Sequence, residues 1–325
     1  MMRIVVAGGG GFGYLLAMQL SQAAHAVVVL SRQARPEFAQ LDVQLHVVDY
    51  DDLGRLAFAL QGVDLVISTI SGQEQLNLIQ AAVRGRVRVF VPSEFEGSLT
   101  RRPAPAHQAH QAHQALDDSL DRGSAAALEL LQQWARQSRI RYTVFSCGLF
   151  MERFHPCGLG YLNIGRGSGI ASAGDYLVDI NQATAEYAER DSRGRSVRVC
   201  LSSVYDVVRF IVAAIDLGTE KWPVEFTMRG DRMTLSELVD TCSRVRNVVF
   251  YRQTRSHAEL QACITYCAQT GDVQRLAYYQ RLLATANGRY DFGRATLNEA
   301  IERSDLVDVQ PLKLSQWLMN MWQSM

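Results

Sequence analysis

Short apolar runs alternate with segments of helical length through the first half of the chain. Ile4, Val5 and Val6 precede an apolar helical segment over 14–22, and residues 26–30 form a second β-branched run. Residues 44–48 lead into a helix over 51–60, residues 64–68 into a helix over 75–83, and 87–91 closes the series. A helix over 125–138 and a strand over 142–146 continue the pattern. Continuous apolar runs of this length mark strands buried on both faces of a parallel sheet. Their alternation with helices predicts right-handed βαβ units, an α/β doubly wound sheet.

After Gly148 the texture changes. Glycine-rich turns over 158–174 read as loops over the carboxyl ends of the strands. Thr234 and Glu237 stand at N-cap and N3 spacing of a helix over 234–243, and residues 256–286 read as a helix pair. The division this predicts is a nucleotide-binding domain over 1–152 and a smaller α+β substrate lobe over 153–325. Part of 196–230 is expected to pack back on the first sheet. Residues 101–118, rich in Pro, Ala, His and Gln, read as a surface loop passing into a helix.

The six-residue stretch Gly8-Gly9-Gly10-Gly11-Phe12-Gly13 sits between the first strand and the first helix. Glycines at positions 8, 10 and 13 let the backbone turn, bring amides against a pyrophosphate and allow close helix packing. In this context they predict a Rossmann dinucleotide site, with Gly11 and Phe12 in the same loop. Ser31 and Arg32 end the second strand, where a ribose-recognising residue belongs. An acidic residue there would bind the 2′-hydroxyl of NAD, whereas arginine matches a 2′-phosphate, so NADP(H) is the expected cofactor.

Composition narrows the function. Hydrophobic residues make up 48%, and 33 basic residues balance 33 acidic ones, which argues against a nucleic-acid partner. The most apolar later stretch, 204–215, is too short to cross a bilayer and carries Asp206 and Arg209. A strand-like run begins at once, with no signal-peptide pattern, so a cytoplasmic location and no membrane partner are expected. Six scattered cysteines read as apolar fillers; Cys263 and Cys267 lack a second ligand pair, so no metal is expected. The only lysines are Lys221 and Lys313.

Several stretches together resemble the NmrA-like and isoflavone-reductase-like group of atypical short-chain dehydrogenases. They are the glycine loop, Ser68-Thr69-Ile70, Pro92-Ser93-Glu94-Phe95, and Ile140 to Thr143 leading to Gly148-Leu149-Phe150-Met151-Glu152. Gly174 to Leu177, Trp222-Pro223 and Arg229 to Met233 resemble fungal members. The resemblance implies that Ser68, Thr69, Ile70, Pro92 and Phe95 line the nicotinamide half of the cofactor, with Phe150 and Glu152 facing substrate.

Two departures bear on chemistry. The family's usual GxxGxxG would require glycine at 14, where this chain has Tyr14. Its catalytic lysine should fall between residues 113 and 130, yet no lysine precedes Lys221. Arginine cannot exchange a proton readily near neutrality. Candidate substitutes are Glu152, whose pKa burial could raise, and His113, the last of His107, His110 and His113 on a helical face. The bland readings are a salt bridge from Glu152 to Arg153 or Arg166 and a solvated polar face for the histidines. Tyr161 and His155 are also within reach of a substrate.

The leading expectation is an NADP(H)-dependent oxidoreductase acting on a small organic molecule in fungal specialised metabolism. The missing lysine keeps two alternatives open: an enzyme that isomerises its substrate with the cofactor as a fixed element, and an NmrA-like redox sensor without turnover. The oligomeric state is left open.

Overall fold

The computed structural model describes residues 2–102, 121–165 and 170–323. Its first half runs β1 (Arg3–Ala7), α1 (Gly11–Gln22), β2 (Ala26–Ser31), β3 (Gln44–Val47), α2 (Leu53–Ala59) and β4 (Leu65–Ser68). It continues through α3 (Gln73–Arg84), β5 (Val89–Val91), α4 (Ser124–Arg136), β6 (Arg141–Tyr142) and β7 (Val144–Ser146). Six strands pair in parallel in the order β3-β2-β1-β4-β5-β6. This is the doubly wound, Rossmann-like sheet, and its order reverses between β1 and β4. Ligands bind at such a reversal, outside the carboxyl ends of the strands.

The period-two side-chain alternation of a strand sorts β1 between two cores. Ile4 and Val6 face α1, whereas Val5 and Ala7 face the side covered by α2, α3 and α4. The expected strand over 142–146 is divided at Thr143. The Thr143 amide donates to Phe90 O on the β5 side, and that of Val144 to Val224 O on the other. The chain thus changes partner in mid-strand.

The second half contains β8 (Leu149–Phe150), β9 (Val178–Asp179), β10 (Thr184–Tyr187), β11 (Arg198–Ser202) and α5 (Val204–Asp216). Then follow β12 (Glu225–Thr227), β13 (Asp231–Thr234), α6 (Leu235–Arg246), β14 (Tyr251–Thr254), α7 (His257–Thr270), α8 (Val273–Ala286), α9 (Thr296–Glu302) and α10 (Leu314–Gln323). β12 pairs in parallel with β7 in a separate two-stranded sheet that starts where β6 ends. Thr234 and Glu237 form a full capping box at the start of α6, and Ser256 with Glu259 does the same for α7.

The apolar stretch 204–215 is α5, with Val207, Phe210 and Ile211 sharing the core of α1 beneath the sheet. No described helix is long and apolar enough to cross a membrane. A separate core gathers Leu149, Phe154, Tyr176, Leu201, Leu238 and Trp317 from the second half. The segment between Phe150 and Tyr176 bridges the two cores, and the cleft opens there.

Candidate active site

A cavity of about 1330 Å³ runs along the carboxyl ends of the strands, from the glycine loop to residues of the second core. Gly8, Gly10, Gly11, Phe12 and Gly13 all line it. Gly8 has φ +117°, and a Cβ there would lie 2.2 Å from Thr69 Oγ1. A Cβ on Gly13 would lie 2.0 Å from the Gly8 carbonyl oxygen, so the start of α1 packs directly on the turn. Gly10 has open space instead, its nearest heavy atom 3.8 Å away. It N-caps α1 with no side-chain hydrogen bond, leaving first-turn amides directed at the cavity, a favourable seat for a phosphate. The Tyr14 departure is therefore accommodated: glycines 8, 10 and 13 divide turn, approach and packing among themselves. Tyr14 packs edge-on against Phe38, with ring centres 5.2 Å apart.

One contact was not legible in the sequence. Residues Leu162 and Asn163 lie over Gly11, whose amide is 3.4 Å from Asn163 O. A Cβ at Gly11 would meet the Leu162 carbonyl at 1.5 Å. The loop after Gly158 thus closes over one flank of the glycine turn.

Ser31 and Arg32 line the cavity beyond Gly9. The Arg32 side chain is 71% exposed and pairs with Glu74, Nη1 to Oε1 2.7 Å. Sequence reasoning missed Arg35, which also lines this end; its Nε is buried and has no hydrogen-bond partner. The signal was the second arginine of Ser31-Arg32-Gln33-Ala34-Arg35, three residues beyond the first.

At the other end Thr69, Ile70 and Phe95 line the cavity, as does Phe150. Phe12 stands 4.7 Å from Phe95 and 6.0 Å from Phe150 between ring centres, an aromatic wall assembled from three separate segments. Ser68 and Pro92 lie behind that wall. Ser68 is fully buried, its hydroxyl donating to Ile70 O at 3.2 Å, and neither residue borders the cavity. They shape the strand ends from below, and Ser93 takes the exposed place beside Pro92.

Glu152 is also placed away from the cavity. It has no exposed surface, and its carboxylate accepts from Ser203 Oγ at 2.7 Å and from the Val204 amide at 2.9 Å. Its partners are the cap and first turn of α5, not the Arg153 salt bridge considered from sequence. Burial pushes its pKa up to about 7, against the lowering effect of these hydrogen bonds. Tyr161 does line the cavity, stacked on His155 with ring centres 3.9 Å apart. Burial raises the Tyr161 pKa, with the Glu152 charge adding to it. Burial lowers that of His155, whose Nδ1 accepts from the Cys157 amide at 3.0 Å.

His107, His110 and His113, like Arg166, lie outside the described residues. In the described part of the segment expected to hold the family lysine, Arg122 and Ser124 line the cavity. Arg122 donates to Ser71 Oγ at 2.9 Å. Ser124 and Arg102 both hydrogen-bond the buried Glu94 carboxylate, whose pKa burial raises. Glu96 is held by Arg289 at 2.8 Å and Arg102 at 3.4 Å. Among the described residues no group of His, Cys, Asp or Glu could hold a metal ion.

Residues 8–162 match the model of the NAD(P)H-binding family, a span that takes in the glycine loop and the strand ends that line the cleft. No curated protein matches the sequence. Solved structures match over nearly the whole chain. An isoflavone reductase is 18% identical, covering 98% of this chain and 99% of its own, with a TM-score of 0.66. An Escherichia coli NADPH-dependent quinone oxidoreductase in complex with NADPH is 15% identical, with coverage of 98% and 99% and a TM-score of 0.63. A Staphylococcus aureus nucleoside-diphosphate-sugar epimerase is 17% identical, with coverage of 98% and 100% and a TM-score of 0.66. At such identities the likeness is one of fold: the chain shares with all three a Rossmann-like α/β architecture over its full length.

Proposed function

We propose that the protein is an NADP(H)-dependent oxidoreductase of the isoflavone-reductase-like type, reducing a small organic molecule. Residues 1–152 carry the cofactor and residues 153–325 shape the substrate lobe. The observation that carries this reading is one continuous cleft with phosphate-binding glycines, a pair of arginines and an aromatic wall in sequence along it. Arg32 and Arg35 favour NADP(H) over NAD(H), because guanidinium donors match a 2′-phosphate and the Arg35 Nε has no internal partner. The E. coli neighbour binds NADPH, which agrees with this choice. The resemblance to fungal members and the Phe12, Phe95 and Phe150 lining favour an aromatic substrate of specialised metabolism.

When bound, NADPH supplies a hydride at its nicotinamide ring. The chain's own part is to hold the pyrophosphate on the glycine-loop amides and to exclude water with the aromatic wall. Tyr161 stands where the family's lysine would act, as a hydrogen-bond donor, and the proton that completes the reduction comes from water at the open cleft. The raised pKa of Tyr161 keeps the hydroxyl protonated, so it donates a hydrogen bond to the oxygen that gains charge. Glu152, enclosed at the start of α5, serves the fold.

Loss of NADPH absorbance in a single turnover with a carbonyl or enone substrate tests the proposal. The absence of any lysine before Lys221 favours a second reading, isomerisation with the cofactor as a fixed element. Under it, product forms without NADPH consumption. Cofactor binding with no turnover on either test would point to the sensor.

A further inference from the structure

Arginines in and behind the inner wall of the cleft differ in their partners. Arg102 and Arg289 are matched by Glu94 and Glu96 through the contacts described above. Arg153 is not matched. Its side chain lines the cleft, and its buried Nε has no hydrogen-bond partner. Among the described residues it forms no ion pair within 4.0 Å. It stacks instead on Tyr176, the guanidinium carbon 5.6 Å from the ring centre. Tyr176 is itself fixed, bonded to Thr285 of α8 and set edge-on to Tyr290 at 6.4 Å.

Arg281, one helical turn before Thr285, lines the same end and is 8% exposed. The charged group facing both guanidiniums is Asp175, whose Oδ2 accepts the Ser172 amide at 2.7 Å. Burial lowers the pKa of both arginines, and Arg281 adds to the effect on Arg153. A desolvated cation without a partner is costly, and such arrangements persist where a ligand completes them.

We infer that the inner end of the cleft binds an oxyanion group of the substrate, with Arg153 as its principal contact and Arg281 beside it. The planar guanidinium suits a carboxylate in a paired geometry; a phosphate offers the same oxygens. The site is distinct from the cofactor's phosphate seats. Leu162 and Asn163 flank the glycine loop, whereas the groups around Arg153 come from residues 175–290. Phe12, Phe95, Phe150 and Tyr161 also line the cleft, so the substrate class is an aromatic or otherwise apolar acid. This assignment deepens the oxidoreductase reading and rests on it for the place of the cofactor.

The test is calorimetric titration of the full chain with cinnamate, cinnamamide and phenyl phosphate, with and without saturating NADPH. Cinnamate is expected to bind at least about 30-fold more tightly than the neutral amide, the scale of a desolvated charge pair. Phenyl phosphate binding above cinnamate would identify a phosphate as the preferred oxyanion. Arg153→Met should remove the preference, leave NADPH affinity within about threefold, and leave the unliganded Tm unchanged or higher, because an unpaired cation is lost. Arg153→Lys, which keeps the charge, should retain part of it and serves if the Met variant does not fold. Equal binding of acid and amide by the wild type overturns the inference. So does parallel loss of NADPH affinity in Arg153→Met, which would make this arginine a cofactor ligand. Failure to bind NADPH with the acid preference intact would instead sink the oxidoreductase reading and leave the anion site standing.

Discussion

Replacing Gly10 by alanine should separate cofactor binding from folding. Gly10 has φ −79° and ψ 179°, an extended conformation that any L residue adopts, and its added Cβ would be 3.8 Å from the nearest atom. Alanine is a poorer N-cap than glycine but restricts the unfolded chain, so the two effects nearly cancel to within about 1 kcal/mol. For a chain of 325 residues that is a change in Tm of roughly 1.5 °C. The methyl group would nonetheless stand at the N-terminus of α1, where backbone must approach a pyrophosphate. A weakening of NADPH binding by about 30-fold or more is expected, from the loss of two charge-assisted hydrogen bonds. Gly13→Ala is the control. Its Cβ would come within 2.0 Å of a backbone oxygen, so the start of α1 must shift, at a cost of about 2–4 kcal/mol. That variant loses several degrees of Tm as well as cofactor affinity. Fluorescence titration with NADPH, paired with thermal melts, reads both quantities. Wild-type NADPH affinity in Gly10→Ala would refute the assignment of the approach position.

Arg32→Asp and Arg35→Gln should each weaken NADPH binding by about tenfold or more while changing NADH binding little. Equal losses for the two cofactors in a titration would remove the 2′-phosphate assignment. Tyr161→Phe should lower kcat by about 10²-fold or more with little change in NADPH affinity, and an unaffected single-turnover rate would exclude Tyr161 as the hydrogen-bond donor to the reacting oxygen. Glu152, raised to about 7 from its ordinary 4.5, binds more protons in the folded than the unfolded state between these values. Stability should therefore fall as pH rises from about 4.5 to 7, by an order of 3 kcal/mol in all, and stay low above. In Glu152→Gln this part of the Tm–pH slope should vanish; an identical slope would assign it elsewhere.

The cofactor end was readable in the sequence because its parts are local. Strand, glycine turn and helix follow one another within Arg3 to Gln22, and Arg32 follows its own strand directly. The capping box of α6, Thr234 with Glu237, was legible for the same reason. What sequence could not supply was direction. Phe150 and Glu152 are two residues apart, yet one lines the cleft and the other lies beneath α5. A short turn, Met151–Phe154, follows β8 and carries Glu152 toward the Ser203 hydroxyl and the Val204 amide, contacts separated by some fifty positions. A carboxylate beside a predicted active strand is thus weak evidence of chemistry when a helix N-terminus has a first-turn amide left to hold it.

The same argument explains why the arginines were harder to read than the glycines. Thirty-one of the thirty-three basic residues are arginine, so type alone singles out none of them. Their roles depend on which carboxylates the fold brings near. Arg102 meets Glu94 across eight positions, and Arg289 meets Glu96 across one hundred and ninety-three. Arg153 meets a tyrosine ring instead. Guanidinium groups that fold against acids neutralise the inner wall of the cleft; the one left stacked on Tyr176 keeps its charge directed at whatever enters. Specificity at this end therefore resides in the pairing pattern of the arginines, which is a property of the tertiary structure and has no spacing rule in the chain.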